Sequence, residues 1–359
     1  MADWKNDLQI YGTGRKWKKS SKRPPLLVGT NPNGKSRMKA KIVLIGVFVA
    51  IIQTCHATTV AYYRFDVGTN GIPASGTNTI LDSSGNGLNA TPVGSPIYTT
   101  NVPVSPIQSN SLSLEFNGAS SRIFIPNYSR LALTNSLTLE AFINAQSLPS
   151  PPINESQIIF RGDDRGYLDP YFIELRSTNL FFAVTDANNV MAHVEAPITL
   201  YQWHHVAGTL DDSSGKMLLY IDGNLVASTI TSIRPFGALT GPNPGLGIGN
   251  VESDTYAEYF NGRIDDVRIS DTALSPNQFL NAVPVIVLRQ PVMAGNALQV
   301  NFDVISGSIQ SFSLLQANEI TGPWTTNADA VLFSHGPDSY TFQISAIISP
   351  SQFYRVQSP

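Results

Sequence analysis

The sequence predicts an all-β protein: two antiparallel sheets packed face to face over residues 58–283, followed by a smaller β unit over 285–359. Three observations predict it. Apolar and polar residues alternate with a period of two in short runs. These runs recur at intervals of about 8 to 15 residues, the spacing of a sandwich or barrel. The links between them are rich in Gly, Asn and Asp, which tolerate positive φ and so close antiparallel hairpins. Helical periodicity is nearly absent, so nothing supplies the crossovers that a parallel sheet requires.

In chain order the strand candidates are TVAYYRFD (59–66), SLSLEFNG (111–118), SRIFIPN (121–127), SLTLEAFINA (136–145), SQIIFRGD (156–163) and YFIEL (171–175). They continue with NLFFAVTD (179–186), VMAHVEA (190–196), WHHVAGTL (203–210), KMLLYIDG (216–223), GLGIGN (245–250) and YFNGRIDDVRIS (259–270). Turns such as DSSGNG, DSSGK, DGN and STN separate them. After the last strand, SPNQFL predicts a helical turn with Ser275 as N-cap and Pro276 at its first position. The stretch from 285 to 359 repeats the alternation around ALQVNFDVIS, IQSFSLLQANE and DSYTFQIS.

The N-terminal 57 residues have a different chemistry. From Met38 two lysines, an apolar run from Ile42 to Ile52 and a polar stretch ending Cys55-His56-Ala57 give the three-part order of a secretory signal, cleaved after Ala57. The apolar run is shorter than the roughly 20 residues of a spanning helix. Gln53 and Thr54 do not suit acylation of Cys55. Residues 1–37 are basic and rich in Gly, Pro and Ser, a composition that builds no core; they read as a disordered or non-native extension, with Met38 as the expected start.

Cleavage changes the charge balance, because residues 1–57 carry 11 of the 23 basic residues and 2 of the 26 acidic ones. The expected mature chain holds 12 basic and 24 acidic residues. Such a surface repels phosphate backbones, so nucleic acid and anionic membranes are not expected partners. The single cysteine, Cys55, leaves with the signal, and stability must come from a large core.

His204 and His205 beside Trp203 invite a metal or catalytic reading. On a strand successive side chains point to opposite faces, so the pair must diverge. Packing and hydrogen bonding are the expected roles.

The order AYYRFD, DSSGNG, SLEFNGASSRIFIP, LTLEAFINA, WHHVAGTLDDSSGKMLLYIDGNLVA and FNGRIDDVRISDTALSPNQ resembles that of laminin-G-like, concanavalin-A-like jelly-roll domains, over about Thr59 to Asn281. The resemblance implies a two-sheet jelly roll whose first and last strands lie side by side. The C-terminal unit, with GPW and FYRV, resembles small β-domains of exported bacterial proteins.

The family includes glucanases, which need two carboxylates about 5 to 9 Å apart and carry them in a Glu-x-Asp-x-x-Glu pattern. That pattern is absent. Asp265 and Asp266 are adjacent and so should face opposite ways, and Asp163 and Asp164 fall in a loop. No Gly-x-Ser-x-Gly elbow is present. Calcium, which takes six to eight oxygens, is the more plausible ion. The resemblance places it where the terminal strands meet, pointing to Asp66, Asp82, Asn86 and Asp265; equally, Asp82 can cap its own turn and Asp265 can pair with Arg263 or Arg268.

Sugar-binding sandwiches stack exposed aromatic rings on pyranose faces beside hydrogen-bonding carboxylates. The loops RGDDRGYLDPY (161–171) and NVESDTYAEYF (250–260) have that composition. The candidates are Asp163, Asp164, Tyr167, Tyr171, Asp254, Tyr256 and Tyr259, whose bland alternative is an ordinary solvated loop. Arg161-Gly162-Asp163 spells an adhesion tripeptide by coincidence, and Asn89, Asn127 and Asn154 head glycosylation triplets. The expectation is an exported, non-enzymatic protein that binds a glycan or other surface macromolecule. A glycan hydrolase or lyase, and a structural envelope protein without a small ligand, are the alternatives.

Overall fold

The computed structural model describes residues 8–10, 59–104, 110–166, 168–283, 285–306, 312–336, 339–345 and 352–357. The expected signal segment, the basic extension apart from 8–10, and Tyr167 lie outside these residues. Strand β1 is Leu8–Ile10, and the jelly roll then runs through β2 (Thr59–Tyr63), β3 (Thr91–Val93), β4 (Ile97–Thr99), β5 (Ser113–Asn117) and β6 (Arg122–Pro126). It continues with β7 (Leu137–Ala145), β8 (Glu155–Gly162), β9 (Tyr171–Arg176), β10 (Asn179–Thr185) and β11 (Met191–Pro197). It ends with β12 (His204–Leu210), β13 (Lys216–Ile221), β14 (Asn224–Ile230), β15 (Gly245–Ile248) and β16 (Asn261–Ser270). The described residues include no α-helix and no helix long and apolar enough to cross a membrane.

These strands form two antiparallel sheets, one of order β11-β10-β9-β8-β15-β6-β3 and one of order β14-β13-β12-β7-β16-β5-β4, with β2 also on β16. The fold is therefore the all-β sandwich that the alternation predicts. The first and last strands of the jelly roll pair directly, Tyr63 opposite Val267 and Tyr62 opposite Arg268. Strand β16 shares one edge between two partners: residues 261–264 pair with β5, and 267–270 with β2. At the switch Asp266 takes φ 48° and the register with β7 slips.

The alternation also decides what is buried. In β7, Leu137, Leu139, Ala141 and Ile143 enter the core between the sheets. Glu140 and Phe142 face the other way and are still buried, because the chain after β16 folds back over them. That segment contains a 3₁₀ turn at Pro276–Gln278 behind Ser275, whose N–H donates to the Gln278 side chain (3.1 Å). Phe279 then packs with Ala207 and Tyr220, and Leu280 with Tyr62 and Phe142. The two sheets approach closely at Gly208, where an added Cβ would fall 2.4 Å from the Phe182 ring.

A second apolar core lies in the C-terminal part. Strands β17 (Val285–Leu288), β18 (Val292–Ala294), β19 (Ala297–Ser306), β20 (Ser313–Ala317), β21 (Thr325–Thr326), β22 (Val331–Ser334), β23 (Ser339–Ser345) and β24 (Gln352–Gln357) make two further sheets. One has order β17-β19-β23-β22 with β18 on β19, the other β1-β24-β20-β21. Leu298, Val300, Phe302, Leu314, Phe342 and Tyr354 are buried together.

Candidate functional site

His204 and His205 diverge as the period requires. His204 shares hydrogen bonds with Asp222 (2.7 Å) and Thr199 (2.7 Å). His205, on the opposite face, bonds Glu140 (2.8 Å), which also accepts from Arg268 (2.6 Å) and from the Leu280 N–H (3.0 Å). Burial alone would raise the Glu140 carboxyl, but the Arg268 charge, the His205 bond and the Leu280 N–H together hold it below the usual range. This network ties the returning segment to the sheet.

The residues expected to hold calcium make hydrogen bonds within the protein. Asp82 accepts from the N–H groups of Tyr62, Ser84 and Leu88 (2.9–3.0 Å) and from the Ser84 hydroxyl (2.8 Å), which is the turn-capping reading. Asn86 turns its amide nitrogen toward the carbonyls of Thr59 and Val60 (2.9 and 3.0 Å). Asp66 takes the Ser111 N–H and hydroxyl and the Arg64 guanidinium. Asp265 accepts from Asn110 (2.7 Å) and from the Asp266 N–H (2.9 Å), not from an arginine; Arg263 pairs with Glu115 and Arg268 with Glu140. The carboxylates of Asp66, Asp82 and Asp265 thus accept from N–H and O–H donors of the protein, whereas Asn86 acts here as a donor.

A different region has the features of a site. On the outer face of the seven-stranded sheet lies a cleft of about 440 Å³. Strands β8 and β9 build its floor. In β9 alternation turns Phe172, Glu174 and Arg176 outward, leaving Tyr171, Ile173 and Leu175 in the core. In β8 a bulge after Gln157 shifts the pairing, so that Gln157 opposes Glu174 while Phe160 opposes Phe172. Without that extra residue Gln157 and Phe160, three apart, would face opposite sides. The two loops with sugar-site composition, 161–171 and 250–260, form the walls, contributing Asp164, Gly166, Asp169, Glu252, Tyr256 and Glu258.

Of the seven expected binding residues, the structure brings Asp164 and Tyr256 to this cleft. Asp164, at φ 59°, sews the walls together, accepting from Ser253 (2.7 Å), Thr255 (2.9 Å) and Asn243 (2.5 Å). Tyr256 is 42% exposed. Asp163 is buried, clamped by Arg165 (2.8 Å) and the Gly241 N–H (2.7 Å). Asp254 pairs with Arg122 (2.8 Å) and accepts from the Tyr259 hydroxyl (3.0 Å), outside the cleft. Tyr171 corrects the expectation most clearly: it is fully buried, its hydroxyl donating to the Leu131 carbonyl (2.7 Å), and presents no face to a sugar.

The groups that the sequence did not single out are Glu155, Gln157, Asp169, Glu174, Glu252 and Glu258. The alternation in YFIELR is the signal that marks Glu174 and Arg176; the others are distributed over 100 residues and need the fold. Ligand oxygens of Glu155, Glu174 and Glu258 lie within 4.8 Å of one another. The Gln157 amide nitrogen bridges Glu174 and Glu258 (2.7 Å to the latter). Arg176 bonds Glu174 (2.6 Å) and Glu155 (3.0 Å) and lies over the Phe181 ring (4.1 Å).

Burial pushes the Glu174 carboxyl up to about 8 against the opposing charge of Arg176. Burial likewise raises Glu252 to about 8, with the charges of Asp164 and Asp169 adding. Asp169 rises to about 7 through burial and the charge of Glu258, and Glu258 is raised by burial. Asp164 goes the other way: burial would raise it, but the donors from Asn243, Ser253 and Thr255 hold it low.

Residues 117–278 match the model of the concanavalin A-like lectin/glucanases superfamily. No curated protein matches the chain. Among solved structures, domain 4 of AbnA, a GH43 extracellular arabinanase from Geobacillus stearothermophilus, in complex with arabinotriose, is 22% identical over 61% of this chain and 95% of that one, with a TM-score of 0.44. The binding domain of Paraclostridial Mosquitocidal Protein 1 is 15% identical over 69% of this chain and 66% of that one, TM-score 0.42. The CBM40 of the Ruminococcus gnavus IT-sialidase bound to alpha2,3 sialyllactose is 14% identical over 48% and 96%, TM-score 0.39.

Proposed function

We propose that this concanavalin A-like jelly roll belongs to an exported protein that binds a glycan in the cleft over β8 and β9 and does not cleave it. One observation carries the reading: the cleft sets hydrogen-bonding carboxyl and amide groups, Glu155, Gln157, Glu174 and Glu258, around a floor of Phe160 and Phe172 with Tyr256 on the rim. A volume of about 440 Å³ falls within the roughly 300–1,000 Å³ typical of ligand sites. A polyhydroxylated ring suits this arrangement: its C–H face can pack on Tyr256, the exposed ring of the rim, while its hydroxyls bond the carboxyl and amide groups, with the largely buried Phe160 and Phe172 closing the floor beneath. Carboxyls raised toward or above neutrality both donate and accept, as sugar hydroxyls do. Six acidic side chains against Arg176 in the lining oppose sulfated or uronate-rich chains and favour neutral or amino-bearing ones.

A second reading, hydrolysis, is favoured by the same raised carboxyls, since a general acid needs one. A hydrolase also needs an ionised partner; Glu155 of the same lining is held by Arg176 (3.0 Å). In this cleft Glu174, Glu252, Glu258 and Asp169 all shift upward. The lowered carboxyl, Asp164, has its oxygens occupied by Ser253, Thr255 and Asn243.

An oligosaccharide array with the purified protein, joined to a reducing-end assay, tests this. The expected result is retention of neutral or amino-bearing glycans without release of new ends, weakened at least tenfold in Tyr256→Ala and Glu258→Gln. Turnover that disappears in Glu174→Gln would replace binding with hydrolysis. Failure to retain any glycan, or retention indifferent to both substitutions, would overturn the reading.

A further inference from the structure

We infer that the cleft contains a site for a hard divalent cation, best fitted by calcium, held by Glu155, Glu174 and Glu258 with the side-chain oxygen of Gln157. The inference goes beyond glycan binding and does not depend on it. Three carboxylates from three chain segments, β8, β9 and the 250–260 loop, bring ligand oxygens within 4.8 Å of one another. Calcium takes six to eight oxygens at about 2.3–2.6 Å and accepts several carboxylates from one protein, whereas magnesium keeps several waters and takes one or two carboxylates. An all-oxygen set excludes preference for the softer transition metals.

Gln157 supplies a second, independent observation. The residue is 1% exposed, and its Oε1 is buried without a hydrogen-bond partner. Such an atom is destabilising unless something satisfies it. Its amide already touches two of the three glutamates through Nε2. Rotation about the soft terminal torsion exchanges the amide oxygen and nitrogen, presenting Oε1 to the space the carboxylates surround. With the amide so turned, a cation replaces the bridging N–H donors and takes the oxygen, while Nε2 moves to the position that Oε1 now occupies.

The charge count points the same way. Arg176 gives one positive charge to Glu155 and Glu174, so three ionised glutamates and one arginine leave two negative charges, which one divalent ion balances. Arg176 need not leave, because its guanidinium also lies over Phe181. This site is separate from the terminal strands, where the resemblance implies calcium.

The test is calorimetric titration of the chelator-treated full chain with calcium, magnesium or manganese chloride, no sugar present. One saturable calcium site is expected, with Kd within about 10⁻⁵–10⁻³ M, in the range of sensor-type and extracellular sites, and with weaker magnesium binding. Glu258→Gln and, nearer the rim, Glu155→Gln should each weaken it at least tenfold, with circular dichroism confirming that the variants fold. Asp329→Asn, an exposed acid in the C-terminal part, should leave it unchanged. Absence of binding to the unmodified chain at 10-fold above that range, or binding unaltered in both glutamate variants, overturns the site. Because no glycan is present, a negative result leaves the glycan reading standing, and glycan failure leaves this one standing.

Discussion

Glu140 allows the sharpest prediction about what holds the jelly roll together. It is fully buried at the centre of β7 and satisfies three donors, the Arg268 guanidinium, the His205 ring and the Leu280 N–H. Replacing it with alanine leaves a buried cation, Arg268, without its counter-ion, together with two unsatisfied polar groups. Breaking a buried pair from one side costs about 3–5 kcal/mol. For a domain of 150–250 residues each kcal/mol lowers melting by about 2–4 °C, so Glu140→Ala should melt about 6–20 °C lower at neutral pH. Urea unfolding followed by tryptophan fluorescence, with a midpoint change at unchanged slope, measures it directly. In the double variant Glu140→Ala/Arg268→Ala much of the loss should be recovered, because the stranded charge is gone. A single-variant loss under about 1 kcal/mol, or strict additivity with Arg268→Ala, would falsify the view that the returning segment is anchored electrostatically.

Glu174, also fully buried, should respond in the opposite sense. With its folded carboxyl near 8, and Glu252 near 8 and Asp169 near 7, against about 4 in an unfolded chain, the folded state binds protons more tightly. Melting measured in chelator should therefore fall as pH rises from about 5 to 8, and Glu252→Gln should flatten that slope; a profile rising over this window would contradict it. Glu140, whose carboxyl is lowered, contributes stability that disappears only below about pH 5, so Glu140→Ala should lose its penalty in acid. Gly208→Val places carbon against the Phe182 ring and should cost about 1–3 kcal/mol by overpacking, read from urea midpoints and relieved in part by Phe182→Leu. Asp82→Ala removes the acceptor of the Ser84 and Leu88 N–H groups and should cost about 1–3 kcal/mol while leaving calcium titration in the cleft unaffected.

Most strands were legible because alternation reports a physical boundary: one face of each strand enters the core. GLGIGN and YFIEL are legible on that basis, although every residue of Gly245–Ile248 is buried. Thr91–Val93, Ile97–Thr99 and Asn224–Ile230 escaped, the first two for brevity, the third because NLVASTI follows a turn directly and is largely exposed. The walls of the cleft were visible as loops with the right composition, but their individual side chains were not. Tyr171 has the composition of a sugar platform, but period two places it in the core with Ile173 and Leu175. Glu155, Glu174 and Glu258 could not be grouped from their spacing, because a bulge in β8 and a pairing between β8 and β15 bring them together. An Asp-rich turn looks the same in sequence whether its oxygens await an ion or already hold their own N–H groups, as those of Asp82 do.

The edge of β16 that β5 and β2 divide sets a timetable for assembly. The Tyr62 hydroxyl bonds an Asp266 oxygen across a separation of 204 residues. During synthesis, therefore, Thr59–Tyr63 emerges long before the half-edge it will occupy exists. Until residues 267–270 arrive, that early strand has no place in the sheet, and a chain interrupted before them would leave its apolar side, Val60, Ala61 and Tyr63, available to any other open strand. Completion of the fold waits on its final strand.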